Sequence, residues 1–282
     1  MNQLNSARHD EWLAKSRSYG SGMQAHGPES RDVIRRPGTW VEFDRLGTLH
    51  PYSKTFSFDG EFASERHRLI AGSPTGRFGL DFLIDLGIDG YLRVADALKI
   101  YEIAYLAPGN VLELGTHQGL STSIIASALE DRGNGRLETV DIDAGTNAVA
   151  RANLLGRPGA DRVTFTLKDA TLRLDELISE GATFGFMFVD HWHGYEATHE
   201  AAERAIKLVA PGGFVLFHDF DDSGNSDPTH VHGVYQAVLD VYADRQDFVF
   251  HNMSGCVALF RRAADSTAPS GDRQAGASGT LA

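Results

Sequence analysis

Hydrophobic positions along the chain follow two periods. From about Ala95 onward, short apolar runs rich in Val, Leu and Phe alternate with longer stretches in which apolar residues return every three or four positions. The runs have the length of buried strands and the stretches have the period of amphipathic helices. Strands are predicted at Val111–Leu114, Leu137–Asp141, Val163–Leu167, Phe184–Asp190, Phe214–His218, Phe248–Asn252 and Val257–Phe260. Helices are predicted at Arg93–Leu106, Leu120–Glu130, Ala144–Leu155, Thr171–Glu180, Tyr195–Val209 and Val234–Ala243. Strand and helix in alternation imply crossover connections, hence a doubly wound α/β fold on a mostly parallel seven-stranded sheet. The last two strands are joined only by a turn around Met253-Ser254-Gly255. That is too short for a parallel crossover, so they are predicted to form an antiparallel C-terminal hairpin.

The rest of the chain lacks this alternation. Residues 1–37 are polar, rich in Gly, Ser, Arg and His, and read as a flexible N-terminal arm. Residues 38–94 carry Trp40, Phe43, Tyr52, Phe56, Phe58, Phe78 and Phe82, too hydrophobic for a linker, and read as a packed N-terminal extension whose aromatics also cover the acceptor as a lid. Residues 95–262 form the α/β domain. Residues 263–282, rich in Ala, Gly, Ser and Thr, cannot bury enough surface to offset the entropy of ordering and read as a disordered tail.

Composition narrows the class. With 42% hydrophobic residues in 282, the chain can bury a substantial core. A net charge of −12 repels a polyanion and offers no basic stripe, so no nucleic-acid partner is expected. The longest apolar stretches are strand-sized and Met1–Asp10 has no segment of signal-peptide type, so no membrane partner and a cytoplasmic location are expected. Cys256, the sole cysteine, sits in an apolar run and reads as a small buried hydrophobe.

Candidate chemistry begins after the first strand. Val111 to Gly119 reads Val-Leu-Glu-Leu-Gly-Thr-His-Gln-Gly, an apolar strand running into a turn with glycines at 115 and 119. Gly115 and Gly119 would let the backbone approach a ligand, with Thr116 and Ser121 beside it. A dinucleotide fingerprint needs a further glycine where His117 stands. Glu113 near the ligand suits a cationic partner, and S-adenosylmethionine carries a sulfonium and an ammonium. Asp141, at the end of the second strand, can accept both ribose hydroxyls of an adenosyl group. Asp169 and Ala170, after the third strand, stand where such folds contact adenine. The alternative for each aspartate is a strand-end residue or helix cap.

The fourth and fifth strands end in Asp190-His191-Trp192-His193 and His218-Asp219. In a parallel sheet both ends open on the crevice beside the glycine loop. Two facing carboxylates repel unless a cation or proton lies between them, which points to a divalent ion, the alternative being that both aspartates cap the next helix or turn. His193 can take a proton near neutral pH and is the candidate general base.

These motifs carry a resemblance. Leu112-Glu113-Leu114-Gly115 through Gly119, Val140-Asp141, Val189-Asp190-His191-Trp192 and Leu216-Phe217-His218-Asp219 are similar to class I S-adenosylmethionine-dependent O-methyltransferases of the metal-dependent catechol type. Asp190, His193, Tyr195 and Glu196, with Pro211-Gly212-Gly213, resemble the bacterial sugar and macrolide methyltransferases. The resemblance covers roughly Ile88 to Phe260 and implies O-methylation of a small hydroxylated acceptor. It also implies a cofactor flanked by Asp190, magnesium or another divalent ion on Asp190 and Asp219, a base at His193, and self-association. Phe220 stands where the catechol type has asparagine, and His218 where the macrolide type has an acidic residue. His218 is then the candidate third ligand, with Asp221 as the fallback. Competing readings are a metal-independent methyltransferase using His193, a catalytically idle domain of the same fold, and a nicotinamide oxidoreductase.

Overall fold

The computed structural model describes residues 46–47, 50–56 and 61–264. Helices α1 (Glu61–Ala71) and α2 (Val94–Leu106) precede the strands β1 (Val111–Leu114), β2 (Leu137–Asp141), β3 (Val163–Leu167), β4 (Phe184–Val189), β5 (Val209–Phe217), β6 (Phe248–Ser254) and β7 (Val257–Arg262). The intervals hold α3 (Leu120–Arg132), α4 (Ala144–Leu154), α5 (Ala170–Ser179), α6 (Tyr195–Leu208) and α7 (Val234–Tyr242). The strands form one sheet in the order β3-β2-β1-β4-β5-β7-β6. Strands β1 to β5 pair in parallel, and β7 is antiparallel to both β5 and β6. The chain winds outward from β1 to β3 and restarts at β4, so the order reverses between β1 and β4. Ligands of doubly wound sheets sit at the carboxyl ends of strands at such a reversal.

Alternation along the strands explains the two-sided core. Val111, Phe186, Phe188, Phe214 and Leu216 face one side with α2 and α3. Leu112, Leu114, Met187, Val189, Val215 and Phe217 face the other, against α5, α6 and α7. Both faces are covered, which is why β4 and the Phe214–Phe217 part of β5 carry no polar side chain.

Three features go beyond the predicted pattern. Strand β5 begins at Val209 rather than Phe214: Val209 pairs with Phe184, the register shifts across Pro211-Gly212-Gly213, and pairing resumes at Phe186 with Phe214. This early start ends α6 at Leu208. The hairpin also folds inward, so that β7 lies inside the sheet and β6 takes the edge.

The extension packs into the core, as its aromatic content predicts. Tyr52, Phe56, Ile70, Ile84 and Ile88 are buried in the cluster that contains α2. Buried charges lock the segment down: Lys99 Nζ donates to Glu102 Oε2 (2.6 Å), Thr55 Oγ1 (2.7 Å) and the Ser53 carbonyl (2.7 Å). Glu102 Oε1 accepts from the Thr55 and Phe56 amides at 2.6 and 2.9 Å. Of the aromatics assigned to a lid, Tyr52 and Phe56 are thus interior, while Phe78 is half-exposed and stacks on Tyr91 at 4.9 Å. Trp40, Phe43 and Phe58 lie outside the described residues, as do the arm 1–37 and positions 265–282.

Candidate active site

The loop after β1 is shaped by protein atoms. Gly115 has φ 95°, and a Cβ there would lie 2.0 Å from the Asp190 carbonyl oxygen. Gly119 has φ 90°, and a Cβ there would meet Leu154 at 2.7 Å. The close approach that these glycines permit includes protein atoms, the end of β4 at Gly115 and α4 at Gly119. His117, in place of the dinucleotide glycine, adopts a left-handed φ of 45°. Its amide donates to Asp141 Oδ2 at 2.7 Å, and the Asp143 amide donates to Asp141 Oδ1 at 2.8 Å. Asp141 therefore holds the loop from the end of β2. Thr116 is buried and shares a 2.6 Å hydrogen bond with Thr139.

Glu113 differs from expectation. Its carboxylate is fully buried beneath the loop, where Oε2 accepts from Thr122 Oγ1 at 2.6 Å, so it supports the loop rather than facing the crevice. Burial pushes its carboxyl up to about 7, outweighing the hydroxyls of Ser121, Thr122 and Thr139 that favour the charged form. Ser121 is buried in the first turn of α3. Asp169 caps α5, accepting from the Leu172 amide at 3.1 Å, and Ala170 opens that helix.

The carboxyl ends of β4 and β5 bring Asp190, His193, His218 and Asp219 together, with one ligand atom from each lying within 4.8 Å of the others. The Asp190 amide donates to the Leu114 carbonyl at 2.9 Å, which joins this end to the glycine loop. His218 is 5% exposed, and its Nδ1 lies 3.0 Å from Asp190 Oδ1 and 3.2 Å from Asp219 Oδ1. His193 Nε2 lies 3.0 Å from Asp219 Oδ2 and 3.5 Å from Asp190 Oδ1. Asp219 holds its side chain there from a left-handed backbone, φ 54°.

Electrostatics bind the cluster. Burial disfavours a charge on His218, yet Asp190 and Asp219 outweigh it and hold the imidazole well above its usual range. Burial likewise opposes charge on the aspartates, but His218 and His193 keep Asp190 below the ordinary carboxylate range, and His218 does the same for Asp219. His193 is raised in spite of partial burial by the same two carboxylates.

His218 Nδ1 is buried and makes no hydrogen bond of acceptable geometry, although both carboxylates are close. An orphaned donor atom between two carboxylates fits a divalent ion, so the predicted ligands Asp190, His218 and Asp219 are suited to hold one. Asp221 is not: its carboxylate accepts from the Gly47 amide at 3.0 Å and lies 2.8 Å from His50 Nε2. The fallback ligand is engaged elsewhere.

Sequence reasoning missed Asp96 and the position of Cys256. Asp96 is fully buried in α2; its carboxylate accepts from the Arg93 amide at 2.8 Å and the Cys256 amide at 2.9 Å. Cys256 is buried, as expected, but its sulfur stands 3.5 Å from His218 Nε2. Burial pushes its thiol up to about 12, which suits a packing group and not a nucleophile. An aspartate inside the apolar stretch Val94–Leu106 was the available signal for Asp96.

Residues 112–220 match a family described as a methyltransferase domain. A caffeoyl-CoA O-methyltransferase from Stellaria longipes is 30% identical over 177 residues, 60% of this chain and 66% of that protein. A relative from Arabidopsis thaliana, named for the same activity, is 32% identical over 110 residues, 38% of this chain and 45% of its own length. The chain thus spans just under two thirds of the first of these curated relatives and under half of the second. Among solved structures, the O-methyltransferase TomG from Streptomyces achromogenes matches 73% of this chain and 91% of its own, with a TM-score of 0.53 and 22% identity. That likeness establishes the fold. Among the described residues no helix is long and apolar enough to cross a membrane.

Proposed function

From the premise that this chain carries a class I methyltransferase domain, we propose that it moves the methyl group of S-adenosylmethionine to a hydroxyl oxygen of a small molecule. The convergence of Asp190, His193, His218 and Asp219 beside the glycine loop, at the reversal of strand order, carries the reading. The caffeoyl-CoA O-methyltransferase relative supports oxygen as the acceptor atom. A sugar or another hydroxylated secondary metabolite is the acceptor class.

The residues divide the work. Asp141 and the buried pair Glu113–Thr122 hold the loop, on which Gly115, Thr116, Gly119 and Ser121 shape one wall of the cofactor crevice, with Asp141, Asp169, Ala170 and Asp190 at the neighbouring strand ends. Asp190, His218 and Asp219 would hold a divalent ion, whose charge makes a neighbouring hydroxyl more acidic. His193, oriented by Asp219 Oδ2 3.0 Å from its Nε2, takes the hydroxyl proton on its other ring nitrogen, Nδ1. The freed oxygen attacks the methyl carbon in line, the C–O bond forms as the C–S bond breaks, and the electron pair leaves on sulfur as the neutral thioether. Proton removal and alignment are what the protein supplies here.

Calorimetric titration with S-adenosylmethionine and S-adenosylhomocysteine tests the cofactor half, and absence of binding to both refutes it. A metal-independent variant of the same chemistry keeps His193 as the base, with its Nε2 held by Asp219 Oδ2 at 3.0 Å. Activity that survives exhaustive chelation and Asp219→Ala would select it.

A further inference from the structure

We propose that the cluster at the ends of β4 and β5 is built for a borderline transition ion of the zinc, ferrous iron or cobalt class rather than magnesium, with His218 Nδ1 as a ligand and the Asp96 carboxylate as the charge that stands behind its ring. The proposal deepens the divalent-ion part of the proposed function and does not depend on methyl transfer.

The spacing of the donors is the first argument. Ligands about 2.0–2.1 Å from one ion stand about 2.8–3.4 Å from their neighbours at octahedral or tetrahedral angles. The observed neighbours are Asp190 Oδ1 to His218 Nδ1 at 3.0 Å and His218 Nδ1 to Asp219 Oδ1 at 3.2 Å. These are the edges of a coordination polyhedron. They would also suit hydrogen bonds, but His218 Nδ1 has none of acceptable geometry.

The other face of the ring is the second argument. Metal-binding histidines generally present their second nitrogen to a carboxylate or similar acceptor, which fixes tautomer and orientation. His218 Nε2 faces Asp96 Oδ2 at 3.7 Å and Cys256 Sγ at 3.5 Å. Asp96 is in turn pinned by the amides of Arg93 and Cys256. Position 255 is kept open for it: Gly255 has φ 59°, and a Cβ there would lie 1.9 Å from Asp96 Oδ1. A buried carboxylate, two amides and a glycine in the hairpin turn therefore serve to present Nδ1 toward Asp190 and Asp219.

Donor chemistry then selects the ion. Magnesium takes oxygen ligands and resists losing its water, whereas imidazole nitrogen favours zinc, iron, cobalt and nickel. Asp190 and Asp219 would accept either class. His218, where the macrolide type carries an acidic residue, shifts the preference toward the second class.

The test uses the full chain, stripped by chelator, with each metal added alone. Zinc, cobalt and magnesium are titrated by calorimetry, and cobalt also by its visible absorption, which reports coordination number and nitrogen ligation without any turnover. Zinc and cobalt are expected to bind at least about tenfold more tightly than magnesium. Asp96→Asn is expected to weaken cobalt by about 10–100-fold at unchanged stoichiometry. His218→Asn, which restores an oxygen donor, should lose zinc and cobalt preference and improve relative magnesium affinity. Asp190→Asn, at a partly exposed position, should also weaken cobalt and guards against a folding failure in the buried variants. Magnesium binding as tightly as zinc, zinc affinity unchanged in His218→Asn, or no ion binding to the folded chain would each overturn the proposal. Separate S-adenosylmethionine titrations on the stripped protein show whether the methyltransferase reading fails with it or stands alone.

Discussion

Glu113→Gln offers a quantitative test of how the loop after β1 is supported. Glu113 is fully buried with no cation beside it, and its carboxyl is pushed from 4.5 to about 7 in the folded chain. At 1.36 kcal/mol per unit, that difference corresponds to about 3 kcal/mol. The sign depends on which state holds the proton. Below pH 4.5 Glu113 is neutral in both states and costs nothing. Between pH 4.5 and about 7 the unfolded chain ionises while the folded chain does not, so stability falls by about 1.4 kcal/mol per pH unit from this group. Above about 7 both are ionised and the loss is constant. Glutamine keeps an oxygen for Thr122 Oγ1 and removes the charge. Its amide nitrogen inherits the place of Oε1, which already lacks a partner, so a fixed penalty of about 1–3 kcal/mol applies at every pH. The difference between variant and wild type is therefore expected to move by about 2–3 kcal/mol in favour of glutamine from pH 5 to pH 8. Urea unfolding at four pH values, fitted with a common slope, reads this directly. A pH-independent difference would refute the reasoning, because it would mean that Glu113 ionises alike in both states.

Three further outcomes are expected from the packing and the site. Lys99→Met leaves Glu102 charged and buried without its cation, which should cost about 3–5 kcal/mol in thermal unfolding, and adding Glu102→Gln should recover part of it. Gly115→Ala forces a side chain into a left-handed backbone, about 1–2 kcal/mol, and drives its Cβ into the Asp190 carbonyl. Its affinity for S-adenosylhomocysteine should drop at least about tenfold by calorimetry while far-ultraviolet dichroism stays native; unchanged affinity would contradict the role given to that contact. His193→Gln should lower kcat by about 10²–10⁴-fold and leave cofactor affinity within about twofold, measured by product formation and calorimetry.

The crevice was legible because its parts lie at the ends of locally patterned elements. Gly115, Asp141, Asp190, His193 and Asp219 each stand just past the end of an apolar run, and parallel pairing places such ends on one edge. Glu113 shows the limit of that logic. Its place in the sequence suits a ligand contact, but strand alternation turns its side chain beneath the loop, toward Thr122.

What the sequence determined by itself is the order of elements, the parallel sheet and the antiparallel end, since hydrophobic period and connection length are local properties. It also marked the strand ends at which acid, histidine and glycine recur. Only the tertiary structure decided that β7 would insert beside β5, that Gly115 makes room for Asp190, and that the aromatic extension would enter the core through Lys99 and Glu102. It likewise diverted Asp221 to Gly47 and brought Asp96 to His218 and Cys256. Asp96 and Cys256 are 160 positions apart. No local pattern encodes such a pairing, because it arises from how a buried carboxylate satisfies its hydrogen bonds once distant elements share a core.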